Sequence, residues 1–97
     1  MKRQDALNVL NTHREDIARQ FGVKALAVFG SVARDEARPD SDLDILVAFE
    51  GRARFDPFMQ LKSYLERLCG VHVDLVTLNS LRPEMRPQIE QEAVYVS

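Results

Sequence analysis

A chain of 97 residues, 45% hydrophobic and 29% charged, has the make-up of one ordinary globular domain over 1–97 with a single buried core. Its net charge of -2 lends no bulk support to a general polyanion binder, so direct nucleic-acid binding is not expected. The one cysteine, Cys69, excludes an internal disulfide or a zinc cluster of cysteines and, at the end of an amphipathic run, is expected to pack rather than react.

The start, Met1-Lys2-Arg3-Gln4-Asp5, leads into an amphipathic helix rather than the apolar region of a signal peptide. No apolar stretch approaches the roughly 20 residues needed to span a bilayer, so a cytoplasmic protein with no membrane partner is expected. Ala6, Leu10, His13, Ile17 and Phe21 recur at helical spacing and predict one helix over 5–21, ended by Gly22. Residues 24–29 form a short apolar run that fits a strand buried on both faces. Gly30 and Ser31 end that run, and a short helical turn is predicted over 32–37. Pro39, Asp40 and Ser41 then supply turn chemistry.

Residues 43–49 predict a second, nearly all-apolar strand, ended by Glu50-Gly51-Arg52. Asp56-Pro57 is a helix-start signal, with the aspartate as N-cap and the proline at the first position. Phe58, Leu61, Leu65 and Leu68 mark the apolar face of that helix, and Gly70 closes it. Residues 71–77 read as a third strand, with Val71, Val73 and Leu75 on one side and His72, Asp74 and Val76 on the other. Asn79 or Ser80 is expected to cap a last helix with Pro83 near its start, and Pro87 has then to fall in its first turn or interrupt it. Residues 93–96 fit a short terminal strand. Such alternation predicts an α/β chain with helices packed on one small sheet. The connection from the first strand to the second is brief for a parallel crossover, and periodicity leaves its direction open.

Chemistry concentrates between residues 28 and 49. Side chains alternate along a strand, so Asp42 and Asp44 face the same way, with alpha carbons about 6.6 Å apart. Left alone, the two carboxylates repel; Mg²⁺ answers that repulsion and typically takes one or two carboxylates plus substrate phosphates. Asp74, in an otherwise apolar strand, qualifies as the third acid of a metal site, because a lone carboxylate there is costly to bury unless paired or metal-bound. Gly30 offers backbone access, the Ser31 hydroxyl and amide can donate to a phosphate oxygen, and Arg34, one helical turn on, reaches the same phosphates. Together these parts describe metal-assisted attack on the alpha phosphate of a nucleotide, with Asp74 on the side of the acceptor hydroxyl. Each part alone has a plainer meaning: Asp-x-Asp as solvated turn chemistry, Asp74 as an edge-strand acid paired with a basic side chain. Glu36 and Asp40 read as loop acids in solvent. His13 and His72 read as structural, with His72 near the site.

The run from Phe29 to Val47, Phe-Gly-Ser-Val-Ala-Arg-Asp-Glu-Ala-Arg-Pro-Asp-Ser-Asp-Leu-Asp-Ile-Leu-Val, resembles the signature of the polymerase-beta-like nucleotidyltransferase superfamily, in its minimal nucleotidyltransferase (MNT) branch. Val-Asp-Leu-Val-Thr at 73–77 and the ending Glu92-Ala93-Val94-Tyr95-Val96 are similar to the same branch. The resemblance implies a small mixed sheet of three to four strands flanked by about four helices, with ATP as substrate and Mg²⁺ as cofactor. By position it implies Gly30, Ser31 and Arg34 on the triphosphate, Asp42 and Asp44 on the metals, and Asp74 at the metal and acceptor side. Asp35 stands where the family often has glycine after the arginine, and aspartate tolerates the left-handed backbone better than most residues.

MNT chains of this size resemble antitoxins paired with a HEPN ribonuclease toxin, which transfer AMP from ATP to a toxin tyrosine or neutralise the toxin by binding. The expectation is therefore a protein adenylyltransferase antitoxin in a hetero-oligomer with a HEPN toxin. The lack of an acceptor-binding domain points the same way, to a partner protein as substrate. The rival readings are a non-catalytic antitoxin that acts by occupancy, and nucleotidyl transfer to a small molecule or an RNA end.

Overall fold

The computed structural model describes residues 1–51 and 55–96. The single helix expected over 5–21 is two helices, α1 (Arg3–Thr12) and α2 (Arg14–Phe21), broken at His13. The break has a local cause. Thr12 Oγ1 donates to the Asn8 carbonyl at 2.8 Å and His13 Nδ1 lies 2.9 Å from the Val9 carbonyl, so side chains compete for carbonyls of the preceding turn. The apolar stripe survives the bend, with Ala6, Leu10 and Ile17 fully buried. His13 is half-buried, with its ring turned back on the preceding helical turn. Gly22 ends α2 in the left-handed conformation (φ 67°).

Strand β1 (Val23–Phe29) leads into α3 (Gly30–Ala33), which starts earlier and ends sooner than the turn expected over 32–37. Asp35 stops it at φ 58°, the one non-glycine residue with positive φ among the described residues. Here the aspartate does what glycine usually does. Substituting Asp35→Val is expected to cost about 1–2 kcal/mol in urea unfolding. Asp35→Gly should fall within about 1 kcal/mol of the parent, since the exposed Arg3–Asp35 ion pair (3.3 Å) contributes little. A turn at Arg38–Ser41 follows, with the Arg38 amide donating to Ser41 Oγ at 2.9 Å, and it delivers the chain to β2 (Leu43–Phe49).

β1 and β2 are antiparallel, with Phe29 opposite Asp44. A four-residue helix rises about 6 Å while a seven-residue strand spans about 23 Å, so α3 is too short to carry the chain back for a parallel start. The helix α4 (Phe55–Cys69) has 15 residues, about 22 Å, and β3 (Val73–Thr77) duly runs parallel to β2. Arg52 lies outside the described residues, as does the side chain of Asp56, expected as an N-cap; along the backbone Asp56 falls inside α4. Gly70 closes α4 at φ 70°. Glu66 Oε2 then accepts the Val73 amide at 3.0 Å, which holds its carboxyl below the usual range and pins the start of β3 to α4.

The last helix begins later than expected. Leu78–Ser80 is a single 3-10 turn, and α5 spans Arg86–Glu92 with Pro87 in its first turn. Pro87 lacks an amide proton, and its ring would clash with the carbonyl four residues back, so a helix running from 80 through Pro87 is barred. β4 (Val94–Tyr95) pairs antiparallel with β1, which gives the mixed sheet order β3-β2-β1-β4.

The sheet has two unlike faces. Leu26, Val28, Ile45, Val47, Val73 and Leu75 pack against α1, α2 and α4 in the main core, where Leu61 and Leu65 are completely buried; full burial of each leucine contributes about 1.5–3 kcal/mol. Cys69 packs beside this core half-buried, and burial pushes its thiol pKa up, in keeping with packing rather than reactivity. The other face carries a smaller cluster, Ala27, Phe29 and Leu46 under Ile89 of α5, with Val76, Leu78, Leu81 and Ala93 packed against it. Among the described residues no helix is long and apolar enough to cross a membrane.

Candidate functional site

The acids expected at the site arise from the ends of strands on the thinly covered face. Asp44 is the second residue of β2, and its register partners are Phe29 of β1 and Asp74 of β3. Cross-strand partners share a face, so Asp44 and Asp74 stand side by side, and Asp42, just before the strand, is near enough for its charge to act on Asp44. Asp42 and Asp74 are exposed and Asp44 is half-buried. Burial therefore does not account for Asp74, which sits on an edge strand in solvent. Its place beside Asp44 is set by register instead. Among the described residues none of the three is paired with a basic side chain, so no partner of the kind that the plainer reading requires stands beside Asp74 among them.

Electrostatics mark Asp44 as the centre. Burial first, then the charges of Asp74 and Asp42, push its carboxyl pKa up from 3.8 to about 6, against a smaller opposing pull from Arg34. Such a rise means that burial and neighbouring like charge together disfavour the anion. Among the described residues no three histidine, cysteine or acidic side chains form a ready-made metal cage. An open cluster of under-compensated carboxylates still fits Mg²⁺, which usually keeps several ligands for water and substrate phosphate.

Gly30 joins β1 to α3 directly over this cluster. It is buried, takes φ 71°, and a Cβ there would overlap Asp44 Oδ2 and lie 3.2 Å from the Asp44 Cβ. Glycine is required because the backbone passes against the carboxylate. Ser31 follows half-buried, its hydroxyl unbonded among the described residues. Arg34 lies just past α3, and its guanidinium is held on two sides, Nε donating to Glu36 Oε2 at 3.1 Å and Nη1 to Glu92 Oε2 at 3.0 Å. Glu36, expected as a free loop acid, is exposed but has a partner. His72 is turned away from the acids, 90% exposed and 3.5 Å from Glu66 Oε2.

Glu92 is the residue that sequence reasoning missed. From the end of α5 its Oε1 accepts the Gly30 amide at 3.1 Å across 62 residues of chain. Its other oxygen takes Arg34, and its charge adds to the rise at Asp44. Within the sequence it figured only as part of a familiar ending, and no local spacing ties it to the glycine-serine turn.

The nucleotidyltransferase domain family matches residues 10–96. The chain is 43% identical over 89 residues to the protein adenylyltransferase MntA of Thermococcus cleftensis, covering 92% of this chain and 90% of that one. A solved structure of a minimal nucleotidyltransferase superposes with a TM-score of 0.77 at 43% identity, over 97% of this chain and 95% of the other. A Shewanella oneidensis complex of a tri-AMPylated HEPN toxin with an MNT antitoxin superposes with a TM-score of 0.68 over 94% of this chain and 71% of that chain; at 18% identity that likeness speaks for the fold.

Proposed function

Because the chain belongs to the nucleotidyltransferase domain family, we propose that it is a Mg²⁺-dependent protein adenylyltransferase, an antitoxin that moves AMP from ATP to a tyrosine of a HEPN toxin partner. The observation that carries this reading is the register of Asp44 with Asp74 beside the Gly30-Ser31 turn, with Asp42 next to them. In this reading Gly30, Ser31 and Arg34 bind the triphosphate, Asp42 and Asp44 hold the metal with Asp74 alongside, and Asp74 faces the acceptor. Mg²⁺, when bound, supplies the positive charge that the clustered carboxylates and the departing pyrophosphate both need. The tyrosine oxygen bonds to the alpha phosphorus, the bond from that phosphorus to the bridging oxygen breaks, and Asp74 accepts the phenolic proton. Arg34 and the Ser31 hydroxyl bind the pyrophosphate as its charge grows. ATP as substrate makes the cytoplasm the expected compartment.

A protein substrate is supported by two likenesses: a 43%-identical relative that is a protein adenylyltransferase, and a fold neighbour that sits in complex with an AMPylated toxin. The test is intact-mass analysis of a co-expressed HEPN partner after incubation with the chain, ATP and Mg²⁺. One or more adenylate additions on a tyrosine peptide are expected. Protection from toxicity with no mass change would overturn catalysis in favour of occupancy. An Asp42→Asn, Asp44→Asn double variant that still neutralised the toxin would do the same.

A further inference from the structure

We propose that Glu92 is the positioning residue of the phosphate cradle: from the end of α5 it fixes the Gly30 turn and aims Arg34 at the nucleotide triphosphate. The inference rests on the nucleotide-binding part of the proposed function and extends it to a residue remote in sequence. Glu92 sits on a firm mount. Three residues before it Ile89 is buried in the smaller core, and two residues after it Val94 pairs with Val28. The Val96 amide then donates to the Leu26 carbonyl at 2.8 Å.

Arg34 is the opposite case, a long side chain beyond a four-residue helix, 44% exposed. Left free, it would lose much rotamer freedom on meeting a phosphate. Held at Nε by Glu36 and at Nη1 by Glu92, it keeps Nη2 and a second Nη1 proton for an anion, because a guanidinium carries five N–H donors. The second oxygen of Glu92 takes the Gly30 amide at 3.1 Å. One carboxylate thus ties the turn that lies against Asp44 to the arginine that faces the phosphates, with one oxygen for each donor.

Glutamine is the informative replacement, because its one oxygen takes the place of only one carboxylate oxygen and its NH₂ group sets a donor against the other donor. NMR titration with Mg²⁺ and the non-hydrolysable ATP analogue AMP-PNP reads Kd into the millimolar range without any acceptor or turnover. Glu92→Gln is expected to weaken binding roughly tenfold, as the loss of one charge-assisted bond would. In an Arg34→Ala background the same change should shift Kd by only about two- to threefold, since the route through Arg34 is already gone and only the bond to the Gly30 amide is left to lose. Should Glu92→Gln melt far below the parent, Glu92→Asp carries the test: the charge stays on a shorter arm, and weakening smaller than that of Arg34→Ala is expected. Equal weakening in both backgrounds would overturn the inference, as would unchanged or tighter binding, the latter meaning that Glu92 competes with phosphate. A parent protein that bound no nucleotide would overturn the proposed function along with it.

Discussion

Asp44→Asn is expected to abolish transfer while making the metal-free protein more stable. The loss of activity should reach roughly 10³-fold, because the half-buried centre of the acidic cluster loses its charge. The gain in stability follows from the same crowding. Burial and the neighbouring Asp74 and Asp42 push the Asp44 pKa to about 6, above its value in the unfolded chain. Between the two values the folded state holds a proton that the unfolded state has released, so stability falls as pH rises. The contribution of this group is fully present below pH 4 and lost as pH passes through about 6. Discounted for the exposure of the cluster to solvent, the penalty at neutral pH is about 1 kcal/mol. That corresponds to a melting temperature roughly 4–8 °C higher for the variant. Calorimetry in EDTA at pH 7.5 and at pH 4.5 checks it, since the gap between variant and parent should close at the lower pH. Adding Mg²⁺ with AMP-PNP should raise the parent melting temperature and leave Asp44→Asn unmoved. A variant no more stable than its parent at pH 7.5 would mean that the cluster is already compensated without metal.

The elements that sequence reasoning placed well are those whose information is local. Strand β2 is a bounded apolar run, α4 carries Leu61 and Leu65 one turn apart, and Gly22 and Gly70 stop helices where a left-handed residue is needed. The elements that it misplaced were decided by competition or by distance. The stripe from Ala6 to Phe21 continues across the break, so periodicity alone cannot reveal that Thr12 and His13 interrupt the helix between them. Pro87 barred an early start to α5, and the residue pattern around Pro83 hid how late the first usable turn falls. The direction of β2 depended on comparing the rise of α3 with the length of β1. At the site, Asp42 and Asp44 were legible from alternation and Asp74 from its contrast with an apolar strand. The reason offered for Asp74 was nonetheless mistaken, since register and not burial brings it to Asp44. Glu92 was illegible because its two partners lie 62 and 58 residues away.

Gly30→Ala should cost far more activity than the same change at Gly22, Gly51 or Gly70, where an added Cβ meets nothing, because two constraints meet at that atom. The first is the backbone: at φ 71° an alanine pays about 1 kcal/mol for the left-handed conformation. The second is Asp44, whose Oδ2 occupies the space a Cβ needs, with the Asp44 Cβ itself only 3.2 Å away. Rotating the carboxylate relieves the first overlap but not the second, so β1 and β2 must also part slightly where Phe29 faces Asp44. A displaced carboxylate is a misplaced catalytic group, and a shift of about 1 Å is enough for a loss of roughly 10²-fold. The expected result is therefore at least that drop in transfer, with a stability loss of about 1–2 kcal/mol in urea unfolding. The two constraints separate in a double-mutant cycle. With Asp44→Gly in place, which removes the carboxylate and the Cβ together, adding the methyl group at Gly30 should cost only the backbone strain, leaving a coupling of about 0.5 kcal/mol or more between the sites. Additive costs would mean that the glycine is there for its φ alone. Activity within about threefold of the parent, against the loss predicted for a shifted carboxylate, would mean that Asp44 can move without harm, and the central position assigned to it would have to be given up.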